Sequence, residues 1–179
     1  RTPEPLLEAL AILHEEASPV VDGLRVELIG SFAEDPRAAP SAGRLPPGML
    51  CVRSSVPYLE ALALMRSAAL LLLIDAPAQT SVFLPSKLAD YLGARRPIFA
   101  VTPPGAAATV VNDAGGWQAD PHDPYAVADA LTLALEHARK HRGAPWGTEA
   151  LLDKFSAPTV TQRFDEHVAA VADRASRRF

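Results

Sequence analysis

The stretch Ala69-Leu70-Leu71-Leu72-Leu73-Ile74-Asp75 decides the fold class of this 179-residue chain. Such a short, continuous apolar run is typical of a strand that is covered on both faces, so we expect it at the centre of a sheet. A helix over residues 85–94 and a second buried strand over 97–101 follow it. This strand–helix–strand order predicts parallel pairing of the two strands.

The same alternation continues on both sides of this stretch. Upstream, Leu6, Leu10 and Leu13 share one face of a predicted helix over 4–17, and a strand ends at Gly30. The remaining predicted segments are a poorly ordered loop over 31–48, strands over 49–53 and 117–119, and helices over 57–67, 105–114, 124–141, 148–154 and 158–176. The pattern predicts one α/β domain over 1–179, a Rossmann-like parallel sheet with helices on both faces. Ligands of such sheets bind at the carboxyl ends of strands, here the loops after Gly30, Arg53, Asp75 and Val101.

Composition and charge limit the kinds of binding partner that we expect for this chain. The net charge is −4, with 21 acidic and 17 basic residues, and the cations form no stripe, so nucleic acid is not an expected partner. Arg174, Arg177 and Arg178 are interpreted as solvated tail charges, with contact to an anionic membrane surface as the alternative. Cys51 is the single cysteine, and the longest apolar run, 68–74, is too short to span a bilayer. We therefore expect a cytoplasmic protein, with peripheral association at the inner face of the membrane left open.

The start of the helix over 85–94 is a candidate anion site. Pro85 and Ser86 stand where backbone N–H groups and the positive end of the helix dipole attract an anion such as a diphosphate. Asp90 follows Ser86 by four residues, one turn further on the same side, where a carboxylate can accept hydrogen bonds from ribose hydroxyls. The alternative interpretation is a capped helix with a surface aspartate.

The segment 84–98, Leu-Pro-Ser-Lys-Leu-Ala-Asp-Tyr-Leu-Gly-Ala-Arg-Arg-Pro-Ile, resembles the signature P-S-K-L-x-E-Y-L-A-x-G-x-P-I-x-A of GT-B glycosyltransferases, particularly the family 4 group. Residues 52–74 are similar to that family's G-x-V-P-Y segment and the helix and strand after it. The loops at 102–105 and 119–124 match in order and spacing. The resemblance covers about residues 4–140 and implies the C-terminal, donor-binding domain of a two-domain enzyme.

Carried over by position, the resemblance implies a nucleotide-sugar site. Ser86 and Lys87 would meet the donor diphosphate, and Asp90, standing for the family's Glu, would hold the ribose hydroxyls. Ser55 and Val56 would line the base. Thr80 and Ser81 would lie near the donor sugar.

The chain also departs from the family pattern. Val82 stands where a first Glu is usual, which weakens the assignment of a carboxylate that contacts the sugar. Only Arg1 could represent the basic, glycine-containing region that precedes this part of the domain, so we expect an incomplete phosphate site.

The expected function is the nucleotide-sugar-binding half of a glycosyltransferase that moves a hexose-type sugar from an NDP-sugar to an acceptor. The resemblance implies retention at the anomeric carbon, and neither a metal nor another cofactor is expected. The acceptor domain would be N-terminal and absent here, so the chain alone should be inactive, and residues 158–179 would pack on that domain. No catalytic residue can be assigned. Two alternatives stay open, a noncatalytic interaction domain, which Val82 favours, and a sugar-nucleotide epimerase.

Other motifs carry little chemistry. The five histidines form no metal-ligand pattern, and His137 and His141, four residues apart, are interpreted as solvated. Serine hydrolase, dinucleotide and P-loop motifs are absent from the sequence. Trp117 and Trp146 are expected to be packing residues.

Overall fold

A computed structural model describes residues 2–176 and shows an α/β protein in which helices pack against small parallel sheets. The helices are α1 (Glu4–Glu15), α2 (Tyr58–Ser67), α3 (Lys87–Ala94), α4 (Ala106–Asp113), α5 (Pro124–Lys140), α6 (Glu149–Lys154) and α7 (Ala157–Ser176). The strands are β1 (Val26–Ile29), β2 (Leu50–Arg53), β3 (Leu71–Ile74), β4 (Ile98–Val101) and β5 (Trp117–Ala119). The predicted order of elements is confirmed, with ends that differ by a few residues.

The strands form two separate parallel sheets. β1 pairs with β2, while β3, β4 and β5 form a second sheet with β4 in the middle. The prediction that the run ending at Asp75 lies at the centre of one sheet is therefore wrong, because β3 is an edge strand. Its side chains are also not covered equally, since Leu71 and Leu73 are buried but Leu70, Leu72 and Ile74 are half-buried.

The core lies on the two faces of the three-stranded sheet. On one face, Phe99 and Val101 pack against α1 and α5, where Leu7, Leu10 and Val127 are fully buried. On the other face, Ile98 and Ala100 pack against α3, α4 and α6. The alternation along β4 thus places successive side chains in two apolar clusters, and each buried aliphatic side chain contributes roughly 1.5 to 3 kcal/mol.

The segment 31–48 is more ordered than predicted. It contains two short 3₁₀ helices, Pro36–Ala38 and Pro40–Arg44, each opened by a proline, whose fixed φ suits the first helical position. Ser41 is buried, and both its amide and its hydroxyl donate to the carboxylate of Glu4 at the start of α1. Composition alone suggested disorder, but these contacts fix the segment on α1.

The last helix is the most exposed part of the fold. Val160, Phe164, Val168 and Val171 of α7 are each about half exposed or more. Their spacing of three or four residues puts these four on one side of the helix, and no buried side chain belongs to α7 among its described positions. No helix within residues 2–176 is long and apolar enough to cross a membrane. The interpretations of Arg1, Arg177 and Arg178 fall outside the described residues.

Candidate functional site

A cavity of about 1100 Å³ lies between β1 of one sheet and β3 of the other. Its walls come from β1 and β3, and its upper end is lined by the segments that follow the strands, including Gly30, Ser31, Ser55 and Val56. Lys87 of α3 also lines it. The cavity therefore extends to the carboxyl ends of the strands, where ligands bind in parallel α/β sheets.

The start of α3 is not closed by a side-chain cap. Ser86, the residue before the helix, is exposed and makes no capping hydrogen bond. The amides of Leu88 and Ala89 donate to the carbonyls of Pro85 and Ser86, so the first turn is tightened into a 3₁₀-like geometry. An anion at this end would meet the amide of Ser86 and the positive end of the helix dipole.

Asp90 is half-buried in the first turn of α3 and is held by a neighbouring helix. The hydroxyl of Tyr58, the first residue of α2, donates a 2.9 Å hydrogen bond to Oδ1 of Asp90. This hydrogen bond raises the pKa of the Tyr58 phenol above its ordinary value, because the ionised phenolate would face the carboxylate. The contact fixes the direction of the Asp90 side chain, although Asp90 is not among the residues that line the cavity.

Lys87 and Tyr91 form a second pair on α3. The Lys87 ammonium lies 5.8 Å from the centre of the Tyr91 ring, a separation compatible with a cation–π contact. The Tyr91 hydroxyl donates a 3.0 Å hydrogen bond to the carbonyl of Leu72 in β3. Burial, with a smaller contribution from the charge of Asp90, raises the pKa of Tyr91 to about 12. Tyr91 thus ties α3 to the open edge of β3 as a neutral phenol.

Ser55 and Val56 lie on the opposite wall of the same cavity. Ser55 is exposed and Val56 is half-buried, in the segment between β2 and α2. The Ser55 hydroxyl lies 3.2 Å from that of Ser31, which follows β1. The two hydroxyls form a small polar rim at this end of the cavity.

Thr80 and Ser81 do not join this group. Ser81 forms an isolated parallel bridge with Gly105, and its carbonyl accepts the amide of Ala106, the first residue of α4. Its hydroxyl donates to the buried carboxylate of Asp75 and accepts the amide of Phe83. Ser81 therefore holds the loop after β3 against the start of α4. Sequence reasoning did not predict this structural role. Thr80 is exposed and does not line the cavity.

Of the seven predicted site residues, the cavity brings together Ser55, Val56 and Lys87. Ser86 and Asp90 stand beside it on α3. Tyr58 and Tyr91 were not predicted as site residues, although a tyrosine four residues after Lys87 lies on the same helical face. No sequence pattern indicated Tyr58, because its hydrogen bond to Asp90 joins two different helices.

The histidine and tryptophan predictions are partly confirmed. Trp146 is buried among α3, α4 and α6, and Trp117 packs against the other apolar cluster. His137 is half-buried, not solvated as predicted, because its ring lies 5.0 Å from that of Trp117. Burial lowers the pKa of His137 below its ordinary value, with further lowering from His141 and Lys140. Within residues 2–176, no three His, Cys, Asp or Glu side chains come together as metal ligands would.

No protein-family model matches this chain, and no curated protein matches it significantly.

Proposed function

We propose that this chain is the donor-binding domain of a glycosyltransferase of the GT-B class, with a Rossmann-like fold. The observation that carries the proposal is the uncapped start of α3 beside Lys87, at the edge of the cavity that Ser55 and Val56 also line. A helix start and an ammonium group suit a diphosphate, and a cleft with an apolar wall suits a base. The resemblance of residues 84–98 to the family 4 signature supports the same assignment.

The chemistry needs stabilisation of a departing nucleoside diphosphate. When the bond between the anomeric carbon and the diphosphate oxygen breaks, negative charge grows on that oxygen. The amide of Ser86, the helix dipole of α3 and the Lys87 ammonium would stabilise this charge without a metal ion. The acceptor hydroxyl, held by an N-terminal domain, would attack the anomeric carbon, and its proton would pass to an oxygen of the departing diphosphate.

Asp90 would hold the ribose of the donor. Its Oδ1 accepts the Tyr58 hydroxyl, and a carboxylate oxygen can accept a further hydrogen bond from a vicinal diol. A hydrogen bond to a charged group is worth about 1.5 to 3 kcal/mol, so loss of this charge should weaken nucleotide binding about tenfold or more.

Isothermal titration of the protein with UDP, GDP and their hexose conjugates tests the proposal. We expect one of the two nucleotides to bind with a clear preference and Asp90→Asn to weaken that binding about tenfold. Asp129→Asn, an exposed carboxylate on α5, is the matched control and should bind as the parent does. If neither nucleotide binds, even to the longest natural polypeptide that contains this chain, the proposal is wrong.

A second candidate is a noncatalytic interaction domain, which the exposed apolar face of α7 favours. It predicts no nucleotide binding by the same titration, together with association through α7. The titration therefore separates the two candidates. In either case the cytoplasmic location and the peripheral membrane contact stay proposals.

A further inference from the structure

The two sheets lie edge to edge on either side of a gap. β1 borders the gap on one side and β3 borders it on the other, and within residues 2–176 each has a partner strand only on its far side. The amides of Leu71 and Asp75 donate toward β4, to Pro97 and Val101, and the amides of Val26 and Gly30 donate toward β2. In a parallel strand, the N–H and C=O groups of one residue point to the same neighbouring strand, and those of the next residue point to the opposite side. Leu72 and Ile74 of β3, and Glu27 and Ile29 of β1, therefore direct their backbone groups to the gap. The Leu72 carbonyl also accepts the Tyr91 hydroxyl, and its second lone pair is the one that a strand in the gap would use.

The gap is the cavity described above, and apolar residues line most of it, with charged residues such as Glu27, Glu34 and Lys87 among the rest. Leu6, Leu10 and Phe99 line it from one face of the sheets, and Leu64 and Met65 of α2 line it from the other. α2 has no buried residue, although six of its ten residues are Leu, Ala or Met, and residues 61, 64 and 65 line the cavity. Well-packed interiors leave few voids of this size. The inner apolar residues of α2 therefore border a space that a further structural element would fill.

The start of α1 lies at the carboxyl end of this gap. Thr2 and Pro3 line the cavity, and the Glu4 carboxylate accepts two hydrogen bonds from Ser41. Ser41 belongs to the segment that follows β1, so α1 begins at the end of the sheet where β1 finishes. A parallel strand in the gap would end at this same place, and its chain would run straight into α1.

We propose that the gap holds a sixth parallel strand, supplied by an extended apolar segment joined directly to the start of α1. The strand would pair with Glu27 and Ile29 on one side and with Leu72 and Ile74 on the other, giving the continuous order β2, β1, new strand, β3, β4, β5. The unit made by the new strand, α1 and β1 is then a β-α-β crossover, the usual connection between parallel strands. The segment needs mainly apolar side chains on both faces, because Leu10 and Phe99 line the gap on one face and Leu64 and Met65 line it on the other. This inference does not depend on nucleotide binding.

Amide hydrogen exchange with an added segment tests the inference. The probe is an N-terminal extension of eight residues, six of them alternating Val and Ile, followed by Gly and Ser to reach α1. We expect exchange at Glu27, Ile29, Leu72 and Ile74 to slow at least about tenfold relative to the unextended chain, and the urea midpoint to rise. An extension of the same length with Pro at every second strand position is the control, since Pro cannot donate to a ladder.

Three results would overturn the inference. The first is equal exchange at these four amides with both extensions. The second is protection in the unextended chain as strong as at Leu71 and Leu73, which would mean that the edges are already paired. The third is protection that grows with protein concentration in the unextended chain, which would assign the gap to a second copy. Circular dichroism of every variant shows that the fold is retained, and titration with UDP is read separately, so failure of the proposed function leaves this test unaffected.

Discussion

The Tyr58 hydroxyl donates a 2.9 Å hydrogen bond to Oδ1 of Asp90, so the first residue of α2 sets the direction of a carboxylate in the first turn of α3. Tyr58 is exposed and Asp90 is half-buried, so we expect the bond to contribute little to stability. The hydrogen bond holds the Asp90 side chain in one direction beside the start of α3, where we propose that a nucleotide binds.

Removal of this hydroxyl should affect binding more than stability. We expect Tyr58→Phe to weaken binding of the preferred nucleoside diphosphate about threefold, since Asp90 keeps its charge but loses its orientation. The thermal midpoint should stay unchanged. Tyr125→Phe, which removes an equally exposed hydroxyl on α5, is the matched control. Calorimetric titration of the three proteins checks this, and equal affinities would contradict the positioning of Asp90 by Tyr58.

Gly105 is required by the contact between the loop after β3 and α4. Its φ is +147°, and a Cβ there would lie 1.8 Å from the Ser81 carbonyl oxygen. We expect Gly105→Ala to lower the free energy of unfolding by about 2 to 4 kcal/mol, from backbone strain and overpacking. Gly93→Ala, in α3 with open space around it, should be neutral or stabilise the protein by up to about 1 kcal/mol. Urea unfolding measures both, and a similar cost for the two substitutions would show that the close approach to Ser81 is wrong.

Tyr91 should make stability depend on pH in the alkaline range. Because its pKa rises from 10 to about 12 on folding, the unfolded chain releases a proton between these values that the folded chain keeps. Stability is therefore fully present below pH 10 and is lost toward pH 12, by up to about 2 to 3 kcal/mol for this residue. Tyr91→Phe removes this dependence.

The two proteins should be compared by urea unfolding at pH 8 and pH 11.5. At pH 8 we expect Tyr91→Phe to be about 1 kcal/mol less stable, because the Leu72 carbonyl loses its donor. At pH 11.5 the difference should shrink or reverse. A difference that is the same at both values would mean that Tyr91 ionises as easily in the folded protein as in the unfolded chain.

The exposed face of α7 should cause self-association. Phe164 is 66% exposed and shares this face with Val160, Val168 and Val171. We expect Phe164→Glu to leave the unfolding midpoint nearly unchanged and to shift the protein toward monomer in sedimentation experiments. Arg163→Glu, the neighbouring exposed position, controls for the added negative charge. A parent protein that is monomeric at all concentrations would contradict this expectation.

The order of elements could be predicted because each has a local signal. The alternation at Leu24, Val26 and Leu28 marked β1, and Asp123 before Pro124 marked the start of α5, where its carboxylate indeed accepts the amide of Ala126. The division into two sheets had no such signal. A strand such as β3 looks the same in sequence whether it is central or at an edge, because the pattern records burial and not the identity of the neighbour.

The candidate site was only partly accessible to sequence reasoning. Ser55, Val56 and Lys87 follow strands or begin helices, and topology brings such positions to one end of a parallel sheet. Ser81 also follows a strand, yet its groups are used to hold α4. Whether a loop residue faces a cleft or the protein depends on long-range pairing, here with Gly105 and Asp75, that no spacing rule reports.

The central claim is that a nucleoside diphosphate binds at the start of α3, and amide chemical shifts during titration with UDP and GDP test it most directly. We expect the largest changes at residues 86–90 and smaller ones at Ser55 and Val56, all saturating with one affinity. Unchanged shifts at residues 86–90, or changes confined to α5 on the opposite face of the three-stranded sheet, would contradict this binding site.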